Sequence, residues 1–135
     1  MSNAAIANKQ LAVLLGVLSH PLRIQIVEEL HKTECDVSTL RNSLNVAHSG
    51  VSQHLAVLRS HRLEIERREG RRVVYRLAAP VLADWLLSGF RFLETTAGRY
   101  DEIRDAIQHI REAWPAPTNG DGPTLPASAY SAPSR

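Results

Sequence analysis

The chain has 135 residues, 44% of them hydrophobic, with one cysteine and a formal net charge of +2. This length is typical of one domain with a modest core, and a single cysteine excludes a framework of disulfides within the chain. The longest apolar run, Leu11 to Leu18, is too short to span a bilayer, and we find no leader segment, so we expect a cytoplasmic protein with no membrane partner. Because no nucleophile, base or metal cluster occurs at a workable spacing, we expect neither an enzyme nor a bound cofactor.

The charge is unevenly distributed along the chain. Eight basic and three acidic residues lie between Arg41 and Arg76, so this segment carries +5 and the remainder carries −3. A basic middle between acidic ends indicates a polyanionic partner that docks at one place.

Two amphipathic helices are predicted first. Leucines at spacings of three and four mark a helix from about Ile6 to Leu18. Ser19 is suited to cap a second helix and Pro21 to open it, and this helix is predicted to run to His31. A polar connector follows it.

The next two helices are short and separated by a three-residue turn. The first is predicted from about Val37 to Leu44 and the second from Ala47 to Arg62. The second helix has one apolar stripe, and its other residues include short polar side chains: His48, Ser49, Ser52, Gln53 and Arg59. This arrangement is typical of a helix-turn-helix, in which small polar groups of the second helix reach base edges in the major groove. A surface helix with a solvated polar face is the alternative.

A β-hairpin is predicted after Arg62, because the apolar period changes there from about 3.6 to 2. Leu63 and Ile65 alternate with glutamates, and a second alternating run ends at Leu77. Gly70, between the two runs, is suited to a tight reversal. Four arginines lie at or near the tip, namely Arg67, Arg68, Arg71 and Arg72. We expect them to contact phosphates, although a solvated hairpin is the alternative.

A long helical region is predicted from about Pro80 to Trp114, with an irregular step between Gly98 and Ile103 where the helix breaks or bends. Its apolar stripe is longer than a small domain needs to cover itself. We therefore expect a homodimer that forms through the first and last helices, with packing inside one chain as the alternative. The expected interface residues are Leu11, Leu14, Leu18, Leu86, Phe90, Leu93, Tyr100, Ile103 and Ile107.

Residues 115–135 are rich in proline, glycine and serine and are expected to form a flexible tail. Residues 1–114 are then one DNA-binding and dimerisation domain. The expected fold class is mainly α with a small β-hairpin wing (α+β), that is, a winged helix-turn-helix.

Three segments of the chain resemble the ArsR/SmtB family of winged-helix transcriptional repressors. They are LLGVLSHPLRIQIVEEL (Leu14 to Leu30), VSQHLAVLRSHRL (Val51 to Leu63) and EGRRVVYRL (Glu69 to Leu77), and the resemblance covers about Asn8 to Leu93. It implies a homodimer that binds an imperfect palindrome in double-stranded DNA and blocks transcription until an inducer lowers its affinity. It also implies that Ser49, Ser52, Gln53 and His54 approach bases and backbone.

The chain departs from the thiolate metal site of that family. Its C-V-C motif would fall on Asp36 and Ser38, and Cys35 lies one residue away, so one subunit cannot assemble a multi-thiolate site. Neighbouring acids are expected to raise the pKa of the Cys35 thiol and to make it a poor nucleophile.

The second family site, D-x-H-x10-H-x-x-E, is also incomplete. His109 and Glu112 supply the H-x-x-E part, but Thr96 and Gly98 stand where the family has the aspartate and the first histidine. We expect no metal site and an unidentified inducer, if there is one. A repressor that responds to thiols or metals through Cys35 or His109 and Glu112 is one alternative, and a winged-helix protein-interaction module without DNA binding is another.

Overall fold

The computed structural model describes residues 2–45, 48–96 and 101–114, without the side chains of His48 and Ser49. Within these residues the chain forms six helices and one two-stranded sheet. In chain order the elements are α1 (Asn3–Val17), α2 (Pro21–Lys32), α3 (Val37–Leu44), α4 (His48–Ser60), β1 (Glu64–Glu69), β2 (Arg72–Leu77), α5 (Val81–Thr96) and α6 (Asp101–Ala113). This is the mainly α winged helix-turn-helix that the sequence predicts.

The start of α2 differs from the prediction in one respect. His20, and not Ser19, is its N-cap, because the His20 Nδ1 atom accepts a hydrogen bond from the Leu22 N–H at 3.1 Å. The Ser19 hydroxyl instead donates to the Gly16 carbonyl at 2.6 Å, at the end of α1. Pro21 occupies the first helical position, where its missing N–H is not needed.

The core is formed around α2, which packs against α3, α4, α5 and β2. Its buried residues Ile26, Val27 and Leu30 meet the apolar stripe of α4, which consists of Val51, Leu55 and Leu58. Asp36 caps α3 by accepting a hydrogen bond from the Thr39 N–H at 2.8 Å. Asn45 ends α3 in the left-handed conformation, with φ 53°, which asparagine tolerates better than most residues.

The wing is an antiparallel pair whose register places Glu64 opposite Leu77 and Glu69 opposite Arg72. Gly70 lies at the reversal with a φ of 62°, as its position in the sequence predicts. The outer edge of β2 also pairs with the connector before α3, because Tyr75 exchanges two backbone hydrogen bonds with Cys35, at 2.9 and 3.2 Å.

Helices α5 and α6 form an antiparallel hairpin and not one continuous seam. Arg111 on α6 binds Glu94 on α5 at 2.9 Å, and the Trp114 ring lies 6.4 Å from that of Phe90. Helix α5 ends at Thr96 and α6 begins at Asp101, close to the predicted irregular step, and residues 97–100 lie outside the described residues. The two apolar runs of the predicted stripe therefore face one another, and α6 also reaches α2, where Trp114 packs on His31.

None of the described helices is by itself long and apolar enough to cross a membrane. Only α1 and α2 taken together reach the necessary length and composition, and the chain bends by 90° between them.

Candidate nucleic-acid interface

Helix α4 presents a polar edge because its opposite side is fixed in the core. Val51 and Leu58 are fully buried, whereas Gln53 and Arg59 are exposed and Ser52 is half-buried. Gln53 is thus placed to form the paired hydrogen bonds that a glutamine makes with adenine. The side chains of His48 and Ser49 lie outside the described part of the structure, so their DNA contacts stay predictions.

His54 is turned towards the body of the protein and not towards the exposed edge of α4. Its half-buried ring lies 4.3 Å, centroid to centroid, from that of His20 at the start of α2. Burial lowers the pKa of His54, and His20 and Arg23 lower it further. This orientation distinguishes His54 from Gln53 among the predicted DNA contacts.

The base of the wing contains a buried carboxyl group. Glu64 is 2% exposed, and neither of its carboxylate oxygens has a hydrogen-bond partner among the described residues. Burial raises the pKa of Glu64 to about 7; Glu66 raises it too, and Arg59 opposes that rise. Arg59 itself is paired with Glu66 at 2.7 Å, so this predicted DNA contact is tied to the wing in the structure.

The four arginines of the wing fall into two pairs with different surroundings. Arg67 binds Glu34 at 2.8 Å and Glu69 at 2.7 Å, and Arg72 binds Asp36 at 2.9 Å. Arg68 and Arg71 are exposed and form no ion pair with any described residue. The first pair fastens the wing to the connector before α3, and the second pair is available to an external anion.

Asp36 joins the helix-turn-helix to the wing through a single carboxylate. One of its oxygens caps α3 and the other accepts a hydrogen bond from the Arg72 Nε. The hydrogen bonds from Thr39, together with the nearby Arg72 guanidinium, hold the pKa of Asp36 below its ordinary value. This link spans 36 residues of sequence, so no local pattern could have predicted it.

Cys35 is buried, with 4% of its surface exposed, in the backbone pairing with Tyr75. Burial is the main cause that raises the pKa of its thiol, to about 11, and Glu29 and Asp36 add to the rise. The sequence predicts a raised pKa from neighbouring acids alone, so it gives the right direction but misses the larger cause. A buried thiol with this pKa is a poor nucleophile at neutral pH.

His109 and Glu112 both lie on the exposed side of α6, where Glu112 accepts a hydrogen bond from Gln108 at 2.9 Å. Over residues 2–45, 48–96 and 101–114 the side chains form no group of three or more metal-ligating residues.

An apolar face, which we define by Leu15, Trp85 and Phe92, is exposed along α1 and α5. Phe92 is 66% exposed and Leu15 is 50% exposed. Together with Trp85 they line a groove of about 450 Å³, and its other lining residues are Leu18, Ile24, Leu86, Gly89 and Ser88, of which Ser88 alone has a polar side chain. An exposed apolar surface of this kind marks a site of protein interaction.

The expected interface residues are divided by the structure into three groups. Leu11, Leu93 and Ile103 are exposed; Leu14, Leu86 and Phe90 are half-buried; Leu18 and Ile107 are buried. The expectation is corrected for Leu18 and Ile107, because packing inside one chain already covers them. Tyr100 lies outside the described residues.

Sequence reasoning missed Leu15, Trp85 and Phe92 as surface residues. In α5 the helical period selects Leu86 and Leu93, and Trp85 and Phe92 directly precede them in the chain. Leu15 directly follows Leu14, which the period favours as the inward residue. Only the packed structure separates these neighbours.

The family model for "Bacterial regulatory protein, arsR family" matches residues 20–63, from the N-cap of α2 through α4 to the start of the wing. A transcriptional repressor SmtB homolog from Synechocystis sp. is 39% identical over 70 residues, which are 52% of this chain and 53% of that protein. The chain thus spans about half the length of the first curated relatives that it matches.

The matches to two solved structures with the same fold extend over nearly the whole length of those proteins. Rv0081 from Mycobacterium tuberculosis is 31% identical, with a TM-score of 0.63, and the match covers 68% of this chain and 93% of that one. Mb0332 from Mycobacterium bovis is 26% identical, with a TM-score of 0.62, over 74% of this chain and 94% of that one; it is described as a homodimeric winged helix-turn-helix DNA-binding domain.

Proposed function

Because this chain belongs to the arsR family of bacterial regulatory proteins, we propose that it is a homodimeric transcriptional repressor that binds a palindromic operator in double-stranded DNA. The observation that carries the proposal is the exposed polar edge of α4 beside a wing with two arginines that are not paired with any acid of the described residues. In a two-fold dimer the two α4 helices enter successive major grooves about 34 Å apart.

We assign different roles to the two pairs of wing arginines. Arg68 and Arg71 contact phosphates, because the described residues offer them no acid. Arg67 and Arg72 hold the wing against Glu34 and Asp36 and so fix the direction in which the other two point. Gln53 contacts a base from the exposed edge of α4, and Ser52 lies beside it.

The second copy of the chain covers the apolar face along α1 and α5. Helix α1 supports this assignment, because its large apolar residues Ile6, Leu11, Val13 and Leu15 are exposed and Val17 is its one buried residue. Exposed apolar side chains that cluster in this way mark a site of interaction. The matching surface of a second α1–α5 pair supplies such a cover through a self-complementary, two-fold contact.

The function is tested by titrating the protein with DNA from upstream of its own gene at several salt concentrations. Each phosphate contact contributes about 0.9 to the slope of log affinity against log salt, so changing both Arg68 and Arg71 to Ala should lower the slope of the dimer by about 3 to 4. The matched variant with Arg67 and Arg72 changed to Ala should lower it by less. Binding with an unchanged slope in the first variant would remove these arginines from the interface, and no binding by the wild-type protein to operator-length fragments would refute the function.

A further inference from the structure

The ring contact between His54 and His20 connects the DNA-binding helix to the start of α2. The two ring centroids are 4.3 Å apart and the ring planes are inclined by 48°. Both side chains are half-buried, whereas the adjacent Gln53 is exposed. The His54 ring therefore packs against the protein and not into solvent. Its contact with His20 opposes a rotation of α4 about its own axis.

His20 is itself fixed by the backbone. Its Nδ1 atom accepts the Leu22 N–H, so the neutral ring carries its proton on Nε2. A second proton on Nδ1 would face that N–H group and remove the cap of α2. The ring against which His54 packs is thus held in one orientation by the helix that forms the centre of the core.

The charges around His54 favour its neutral form. Among the described residues the titratable and charged groups that act on it are His20 and Arg23, both on or at the start of α2. Both are cationic when charged, and the Arg23 Nε is buried without a hydrogen-bond partner in the described part of the chain. Among the described residues no anion acts on His54 to raise its pKa, so the neutral ring packed on His20 is favoured in the free protein.

We propose that His54 is a positioning residue, which sets the orientation of α4 through its contact with His20 and does not touch the DNA. The inference rests on the DNA-binding function proposed above. It assigns two neighbouring residues of α4 separate tasks: Gln53 contacts the base, and His54 holds the helix at the angle that this contact requires.

The first test is an NMR titration of the His54 ring in the wild-type protein, free and bound to its operator. The pKa of His54 should lie below the ordinary value in the free protein, and no nuclear Overhauser effect should join its ring to DNA protons in the complex. Changing His20 to Asn should raise the pKa of His54 towards the ordinary value. A nuclear Overhauser effect between the His54 ring and DNA would overturn the proposal, as would an ordinary pKa in the free protein.

The second test is a double-mutant cycle on DNA affinity. His20→Asn, which keeps a side chain able to cap α2, and His54→Ala should each lower the affinity about tenfold, and the double variant should lower it by about the same factor, because both remove one contact. His54→Phe, which keeps a ring against His20, should restore most of the affinity. Gln53→Ala is the control: combined with His20→Asn, it should lower the affinity by the product of the two single losses, about a hundredfold.

Independent effects of His20 and His54, or no effect of His54→Ala, would overturn the assignment. Failure of His54→Phe to restore binding would do the same. The proposed function fails separately, if the wild-type protein does not bind DNA; the titration of the free protein still reports the contact between the rings in that case.

Discussion

The apolar face of α1 and α5 and the base of the wing violate the usual distribution of side chains in opposite ways. The first exposes Leu15, Trp85 and Phe92 to solvent, and the second buries the carboxyl group of Glu64. Exposed apolar surface is relieved by a second protein chain, whereas a buried acid without a partner is relieved by a proton. Association through the apolar face should therefore depend on protein concentration, whereas the contribution of Glu64 to stability should depend on pH.

The largest effect is expected from Phe92→Glu, which places a charge in the centre of the apolar face. The dimer should dissociate, and operator affinity should fall by about 10² to 10⁴, because each half-site is then bound by a separate molecule. Sedimentation equilibrium and fluorescence anisotropy measure the two quantities. Ala106→Glu adds the same charge to the exposed side of α6 and should leave the dimer intact. A Phe92→Glu protein that remains dimeric would show that the second chain lies elsewhere.

A smaller effect, on stability alone, is expected from Ile107→Ala. Ile107 has the same periodic spacing as the exposed residues but is buried inside the chain, so its truncation should lower the free energy of unfolding by about 2–5 kcal/mol. Urea denaturation at fixed protein concentration measures this change. Sedimentation should still show a dimer, and dissociation without a loss of stability would instead place Ile107 at the interface.

Glu64→Gln tests the buried carboxyl group at the base of the wing. Since burial raises the pKa of Glu64 to about 7, above the ordinary value of 4.5, the folded protein holds this proton more tightly than the unfolded chain. The stability that the proton supplies is full below about pH 4.5 and is lost as the pH rises through 7. The variant should match the wild type at about pH 4 and be more stable by about 3 kcal/mol at about pH 8.5. Thermal denaturation across this range measures the difference, and parallel curves would contradict it.

Glu34→Gln should have the smallest effect and serves as the exposed counterpart of Glu64→Gln. Glu34 binds Arg67 at 2.8 Å, but both side chains are about half exposed. An ion pair of this kind contributes about 0–1 kcal/mol, so the free energy of unfolding should change by less than about 1 kcal/mol. The same denaturation experiments measure it. A loss as large as that of Ile107→Ala would mean that the attachment of the wing to the connector controls the whole fold.

The sequence predicts the order of the elements and most of their limits, because each has a period, a cap or a turn residue of its own. It does not predict that α6 turns back, since a stripe of apolar residues at helical spacing indicates burial but not the surface that buries it. Between the end of α5 at Thr96 and the start of α6 at Asp101, the sequence carries only an irregular step in that spacing.

The sequence does not predict the burial of Glu64, because the local pattern does not decide which side of β1 faces the core. The alternation of Leu63 and Ile65 with glutamates predicts apolar residues on the inner side of the strand, and this is wrong for Ile65, which is 40% exposed. Pairing with β2 places Glu64 opposite the buried Leu77. A shift of one residue exchanges the two sides of a strand, and that choice is made by the partner strand and not by the local pattern.

The candidate DNA-binding site was only partly predictable for a similar reason. The polar edge of α4 follows from its own sequence, because Val51, Leu55 and Leu58 define the opposite side. Glu69 binds Arg67 from two residues away, but the contacts of Arg67 with Glu34, of Arg72 with Asp36 and of His54 with His20 each join residues at least 33 apart along the chain. The same residue types would look identical in the sequence if they were free.

The backbone pairing of Cys35 with Tyr75 also decides which edge of the small sheet faces outward. It covers the outer side of β2, so the free edge of the sheet belongs to β1. Five of the six residues of β1 are charged. A charged free edge resists the addition of a strand from another molecule, which is the usual first step of aggregation for a two-stranded sheet. The glutamates and arginines of β1, which flank the proposed DNA-binding surface, therefore also oppose strand addition between copies of the chain at high concentration.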